Sequence, residues 1–324
     1  MKALQAQALD SIDDYAEVEL PVPEPGPGQV RLRVRACGVG YVDALVSLGR
    51  YQVKPPLPHV PGSEVAGLVD ALGEGVEGLS VGDRVMAQAA GGFAQYALAP
   101  AAGVTRLPEA LDFAAASGLR INYLTALHGL RQRGALKPGE RLLVLGAAGG
   151  VGTAAVQIGR LLGAQVVAAA STETKRAFAA EHGAHAVIDT EPEGWRDRLK
   201  AATDGKGPDV VFDPVCGPLF QPAFRSLAWG GRHLVVGFAG GPIPALPANL
   251  TLMKGAGLIG VDVRQFLLYE ARQAQADLSD LLGWIAEGRL SPPVGRVFPF
   301  GEAKDALAYA LSGQGAGKTV LAID

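Results

Sequence analysis

Apolar residues follow two rhythms along this chain. Over residues 1 to 120 they alternate with polar ones in short runs, and Val30-Arg31-Leu32-Arg33-Val34-Arg35-Ala36 is the plainest of them. A period of two is that of a half-buried strand. Prolines and glycines from Pro21 to Gly28 predict an extended link and a turn before it. Residues 62–69, 81–85 and 91–97 repeat the sequence of turn and strand. From Asp112 the pattern becomes helical, over 113–118 and 122–131. Across 141–263 strand-like runs (142–145, 166–170, 186–189, 209–213, 233–237, 258–263) alternate with helical stretches such as 193–202 and 221–228. That alternation predicts a doubly wound parallel sheet. The last sixty residues or so read as two helices, 278–287 and 302–312, and two strands, 296–300 and 318–323.

The densest signal runs from Arg141 to Ser171. A buried strand is followed by a turn of small residues, Gly146-Ala147-Ala148-Gly149-Gly150-Val151-Gly152. The turn opens a helical pattern carrying Val156, Ile158, Leu161 and Leu162, which Gly163 stops before the next strand. Strand, glycine-rich turn, helix and strand in this order form the βαβ unit that binds a dinucleotide. Small side chains let backbone N–H groups approach a pyrophosphate, and the helix N-terminus adds partial positive charge. Gly152 lets the helix lie close on the strand. An ordinary α/β turn without a ligand is the plainer alternative.

The end of the second strand bears on which nucleotide binds. An NAD-preferring site places Asp or Glu there for the ribose hydroxyl. This chain has Ser171-Thr172-Glu173-Thr174-Lys175-Arg176 instead. Ser171 with Lys175 and Arg176 suits a 2′-phosphate, so NADPH is the expected cofactor. Glu173 argues the other way, and a solvated helix start capped by Ser or Thr is the alternative.

Composition changes this picture little. The 324 residues suffice for two domains, 48 % are apolar, and the formal net charge is −3 with both signs scattered. Neither a nucleic acid nor a membrane is an expected partner. No apolar run reaches the length of a membrane span, so a cytoplasmic location is expected. Two cysteines, Cys37 and Cys216, make neither a disulfide framework nor a four-cysteine zinc site.

Several ordered strings together resemble the medium-chain dehydrogenase/reductase superfamily, and specifically its zinc-free quinone oxidoreductase branch. They are Ala36-Cys37-Gly38-Val39-Gly40-Tyr41-Val42-Asp43, Pro61-Gly62-Ser63-Glu64-Val65-Ala66-Gly67, Val81-Gly82-Asp83-Arg84-Val85, Gly91-Gly92-Phe93-Ala94-Gln95-Tyr96, Thr125-Ala126-Leu127, the 146–152 turn, Asp209-Val210-Val211-Phe212-Asp213 and Val235-Val236-Gly237-Phe238. The resemblance implies an α/β protein of two domains. A GroES-like β-rich catalytic domain would be built from 1–120 and 265–324, and a Rossmann-type NADP-binding domain would occupy 121–264.

The resemblance also implies site residues. Thr125, Gly237 and Phe238 are expected near the nicotinamide. Ala148, Gly149, Gly150, Val151 and Gly152 are expected at the pyrophosphate, Val215 facing the cofactor, and Ser171 and Lys175 near the 2′-phosphate. Tyr41, Asp43 and Tyr51 are expected on the substrate side. Tyr51 is the preferred hydroxyl donor to a substrate oxygen, with loop packing as its alternative; Asp43 is expected to have a structural hydrogen-bonding role. Zinc-dependent relatives carry Cys where this chain has Gly40 and His where it has Ser63, so no metal is expected. Arg120 stands where Pro is usual, and is expected to meet an acidic substrate group or a surface ion pair. Lys318 is read as flanking the last strand, with an approach to the cleft as its alternative. Hydride transfer to a quinone is the expected reaction. An alkenone or enoyl-thioester reductase is the alternative, and a cofactor-binding protein with little turnover a more distant one. Pairing of strand 258–263 with its copy implies a homodimer.

Overall fold

A computed structural model describes residues 1–324, which divide into two compact units. The first comprises Met1–Arg120 and Trp284–Asp324, the second Ile121–Gly283. Within the second unit Asp277, with no exposed surface, accepts hydrogen bonds from Arg131 Nη1 at 3.1 Å and from Gln132 and Gln273.

The first unit is built on a seven-stranded sheet. Its path runs Val294–Pro299, Lys318–Ala322, Gln29–Val39, Glu64–Leu72, Arg84–Gln88, Val104–Arg106, and Tyr96–Pro100 also pairs with Gln29–Val39. The last strand of the chain lies antiparallel to Gln29–Val39, with Leu321 opposite Cys37. Alternation explains the long strand: Val30, Leu32 and Val34 are buried in a core with Leu4, Val65, Val85, Phe93, Phe298 and Leu307, and Arg33 between them is exposed.

The second unit holds a six-stranded, wholly parallel sheet in the order Ala186–Ile188, Gln165–Ala169, Arg141–Leu145, Val210–Asp213, Arg232–Val235, Gly257–Gly260. This is the doubly wound order in which the sheet reverses beside its first strand. Helices cover both faces, so Leu142, Leu143, Val144, Val210, Val211 and Phe212 are all buried. The edge strand ends at Gly260, short of the expected residue 263. Asp262 caps a helix there, Val263–Tyr269, accepting from the Arg264 and Gln265 N–H groups.

Candidate functional site

In the second unit, strand Arg141–Leu145 leads through a tight turn into helix Gly150–Leu161. Gly146 takes φ +60°, and a Cβ there would meet the Val215 side chain at 2.8 Å. Gly152 is required by contact: a Cβ would lie 2.1 Å from the Gly146 carbonyl oxygen. Thr153 fastens the turn, its N–H donating to Gly149 O at 2.8 Å and its hydroxyl to Ala147 O at 3.2 Å. Since that N–H makes the first intrahelical bond, those of Gly150, Val151 and Gly152 precede the ladder and point out of the helix end. Gly149, the N-cap, is exposed, and a Cβ on it would meet nothing nearer than 3.5 Å. An open approach over three unbonded N–H groups at a twelve-residue helix fits a pyrophosphate. Ala148 is buried beneath the turn.

Two further strand ends converge nearby. Asp213, fully buried, accepts from the Val215 and Cys216 N–H groups through Oδ1 and pairs with His233 Nε2 through Oδ2 at 3.0 Å. Gly240 N–H donates to Val215 O at 2.7 Å, and Gly237 approaches the Pro214 carbonyl, so loops 214–217 and 237–240 lie against one another. Phe238 projects from the second of them, 42 % exposed. Thr125 is buried, and its hydroxyl donates to Ile121 O at 2.6 Å. Cys216 is also buried, which pushes its thiol well up; it is an inert small residue here.

At the end of strand Gln165–Ala169, Ser171 is exposed and Thr172 caps helix Glu173–Glu181 by accepting from Lys175 N–H. Partial burial holds the Lys175 amine below its ordinary value. Arg176 is engaged otherwise: Nη1 donates to the Ala170 and Ser171 carbonyls at 3.2 Å, fixing the corner.

The first unit gathers a second group. Tyr41 opens helix Tyr41–Ser47, and Asp43 in its first turn accepts from Gly40 N–H at 2.8 Å, half of a capping box. The other Asp43 oxygen accepts from the exposed Ser63 hydroxyl at 3.4 Å. Burial raises the Asp43 carboxyl above its ordinary value, with Lys318, the Gly40 N–H and Ser63 acting to lower it and Glu64 to raise it. Lys318 Nζ donates to Glu64 Oε2 at 3.1 Å, their side chains being only 11 % and 8 % exposed. Burial works against the Lys318 charge, but Glu64 and Asp43 outweigh it and lift its value above the ordinary. Sequence reasoning missed this pair, since 254 residues separate its members. Tyr51 lies half-buried in the segment after the helix. Arg120 makes no surface ion pair: it is half-buried, Nη1 donates to Gly103 O at 3.1 Å, and Nε has no hydrogen-bond partner. No group of three or more His, Cys, Asp or Glu side chains is placed to hold a metal ion.

Two known families match the chain, "Alcohol dehydrogenase GroES-like domain" over residues 26–109 and "Zinc-binding dehydrogenase" over 150–287. The chain is 37 % identical over 289 residues to a quinone oxidoreductase of Sus scrofa, covering 88 % of this chain and 86 % of that protein. The quinone oxidoreductase of Thermus thermophilus, solved alone and with NADPH, is 34 % identical and superposes with a TM-score of 0.86 over the whole of both chains. The CurK enoyl reductase is 25 % identical, with a TM-score of 0.90 over 100 % of this chain and 99 % of that one.

Proposed function

The chain belongs to the quinone oxidoreductase family of the medium-chain dehydrogenase/reductase superfamily, and on that footing we propose that it reduces a quinone with NADPH and without zinc. The observation that carries the cofactor reading is the open turn at Gly149–Gly152, where three backbone N–H groups face outward at a helix end. Bound there, NADPH supplies hydride.

The chain's own residues bind and orient. Gly150, Val151 and Gly152 hold the pyrophosphate through N–H groups, with Ala148 and Gly149 leaving room for it. Ser171 and Lys175 take the 2′-phosphate, and the absence of an acid at 171 removes the repulsion that NADPH meets in an NAD site. Thr125 offers its hydroxyl oxygen as an acceptor, its proton being engaged at Ile121. Val215, Gly237 and Phe238 bound the nicotinamide end. Tyr41, Asp43 and Tyr51 form the substrate side, with the Tyr51 hydroxyl donating to a substrate oxygen. Zinc independence rests on residue type: Gly40 offers no ligand, and Ser63 is a poor one beside thiolate or imidazole.

A second reading, reduction of an enone or enoyl thioester, draws on the likeness to the CurK enoyl reductase. Steady-state oxidation of NADPH and NADH against 1,4-benzoquinone, 9,10-phenanthrenequinone, 2-hexenal and crotonyl-CoA separates the readings. Quinone turnover with NADPH is expected. A marked preference for the enal or thioester would move the function to alkene reduction, and turnover with none of the four would overturn both.

A further inference from the structure

The strand order of the second unit places its reversal between Arg141–Leu145 and Val210–Asp213, and a nucleotide lies in the crevice outside the carboxyl ends of such a pair. The loops that leave those two ends, 146–149 and 214–217, meet at Val215. A Cβ on Gly146 would lie 2.8 Å from Val215 Cγ2, and one on Gly240 would lie 2.8 Å from Val215 Cγ1. Each methyl of the valine is thus seated on a glycine, one in the turn before helix Gly150–Leu161 and one in loop 237–240. Val215 is half-buried, a wall of the crevice whose place is set by its own backbone.

That backbone is held from beneath. Asp213 Oδ1 accepts from the Val215 N–H at 2.9 Å and from the Cys216 N–H at 2.7 Å. Cys216 takes φ +46°, a left-handed conformation that a residue with a side chain keeps only where its surroundings hold it. His233 stands opposite Val211 on the next strand, so it shares a face of the sheet with Asp213 two positions on. Its Nε2 lies 3.0 Å from Asp213 Oδ2 and donates to it, since Oδ1 already serves two donors as a carboxylate does. Nδ1 has no hydrogen-bond partner, so the ring is held by that one bond and by packing against Phe220 and Phe224, with centroids 4.9 and 6.1 Å away. Neither side chain of the pair has any exposed surface. Without the imidazole, Oδ2 would be a buried oxygen with no donor, and the carboxylate would turn to find one. His233 removes that freedom and keeps Oδ1 on the loop.

We propose that Asp213 and His233 are positioning residues for the nicotinamide end of the cofactor, acting through Val215. This rests on the NADPH reading above, in which Val215, Gly237 and Phe238 bound that end. Asp213 fixes the course of the chain at Val215, and His233 fixes Asp213. The effect is local to one part of the crevice. The corner at Ser171 and Lys175 is built on strand Gln165–Ala169 and helix Glu173–Glu181, and Arg141–Leu145 separates that strand from Val210–Asp213. A shift of Val215 therefore loosens the hold on the nicotinamide and spares the hold on the 2′-phosphate.

The test is titration calorimetry with NADPH and with adenosine 2′,5′-bisphosphate, which carries the 2′-phosphate but no nicotinamide. It is run on the full chain in His233→Leu, His233→Gln, Val215→Ala and the double variant His233→Leu with Val215→Ala, beside kcat against 1,4-benzoquinone. Circular dichroism checks each fold. His233→Leu should weaken NADPH about tenfold and lower kcat by a similar factor, with the bisphosphate held within about twofold of wild type. His233→Gln, whose amide nitrogen donates in place of Nε2, should recover most of both losses. The losses of His233→Leu and Val215→Ala should not add in the double variant. Equal weakening of both ligands, additive losses, no recovery in a folded His233→Gln, or wild-type NADPH binding in His233→Leu would each overturn the pair's role and leave the NADPH reading standing. If His233→Leu does not fold, Val215→Ala decides, since it removes only two methyl groups at the crevice. It should show the same split between the two ligands, and unchanged NADPH binding in it overturns the proposal. A wild-type protein that does not bind NADPH overturns the cofactor reading, and the proposal with it.

Discussion

Gly149 and Gly152 sit three positions apart in one turn and answer to different constraints. Gly152 is held to glycine by the Gly146 carbonyl 2.1 Å from its absent Cβ, so Gly152→Ala should cost about 1–3 kcal/mol, seen in denaturant unfolding. Gly149 has room for a methyl group and an ordinary φ of −74°. Gly149→Ala should leave stability unchanged yet weaken NADPH binding about tenfold or more, because the methyl intrudes only on a bound pyrophosphate. Titration calorimetry beside thermal unfolding would separate the two effects. Ser171→Asp with Lys175→Ala should reduce the preference for NADPH over NADH by about 10–100-fold in kcat/KM, the worth of a charge-assisted hydrogen bond or two. The glycine turn was legible in sequence because its constraints are local. Arg176 was less so: nothing in the string told that its Nη1 would bond two strand-end carbonyls.

Between elements, ion pairs join neighbouring strands of the second unit at one end. Arg141, opening its strand, donates to both Asp209 carboxylate oxygens at 2.8 and 2.9 Å, and Arg232 does the same to Glu140 at 2.7 and 3.0 Å. Burial acts to raise both carboxyls, but the arginines and the Arg141 and Lys137 N–H groups outweigh it and hold them below their ordinary values. A folded value below the unfolded one stabilises fully above the unfolded value and is lost as pH falls through the folded one. Unfolding free energy should thus be level above about pH 5 and decline below about pH 4. In Asp209→Asn that acid-side decline should be shallower, and the variant should lose about 1.5–3 kcal/mol at neutral pH. Among the short helices that escaped the sequence pattern, two did so for physical reasons that the structure shows. Tyr41–Ser47 starts from a glycine with no capping side chain, carries two valines and is stabilised by Asp43 reaching back to Gly40. Val263–Tyr269 was hidden by the apolar run before it, although Asp262 is the capping signal that marks its start.

At the scale of the whole molecule, strand Gly257–Gly260 ends the six-stranded sheet and leaves its outer edge unpaired. Apolar side chains flank it: Trp229 is 82 % exposed with its ring against Gly255, and helix Asn249–Lys254 presents Leu252, 81 % exposed, and Met253. An open edge with such neighbours supports the proposal of a homodimer joined edge to edge. Light scattering at micromolar concentration should give twice the chain mass, and Leu252→Glu with Leu258→Arg should give a monomer with unchanged far-ultraviolet circular dichroism. A monomeric wild type would end the proposal. The sequence by itself determined the parallel sheet and the glycine turn, because buried strands are continuously apolar and a turn that packs a helix closely on its strand must be made of small residues close together in the chain. Only the tertiary structure decided that Lys318 meets Glu64 and that Asp277 meets Arg131. Both are pairings of buried charges from distant segments, and a burial that no local pattern encodes is set by which strands and helices come to lie side by side.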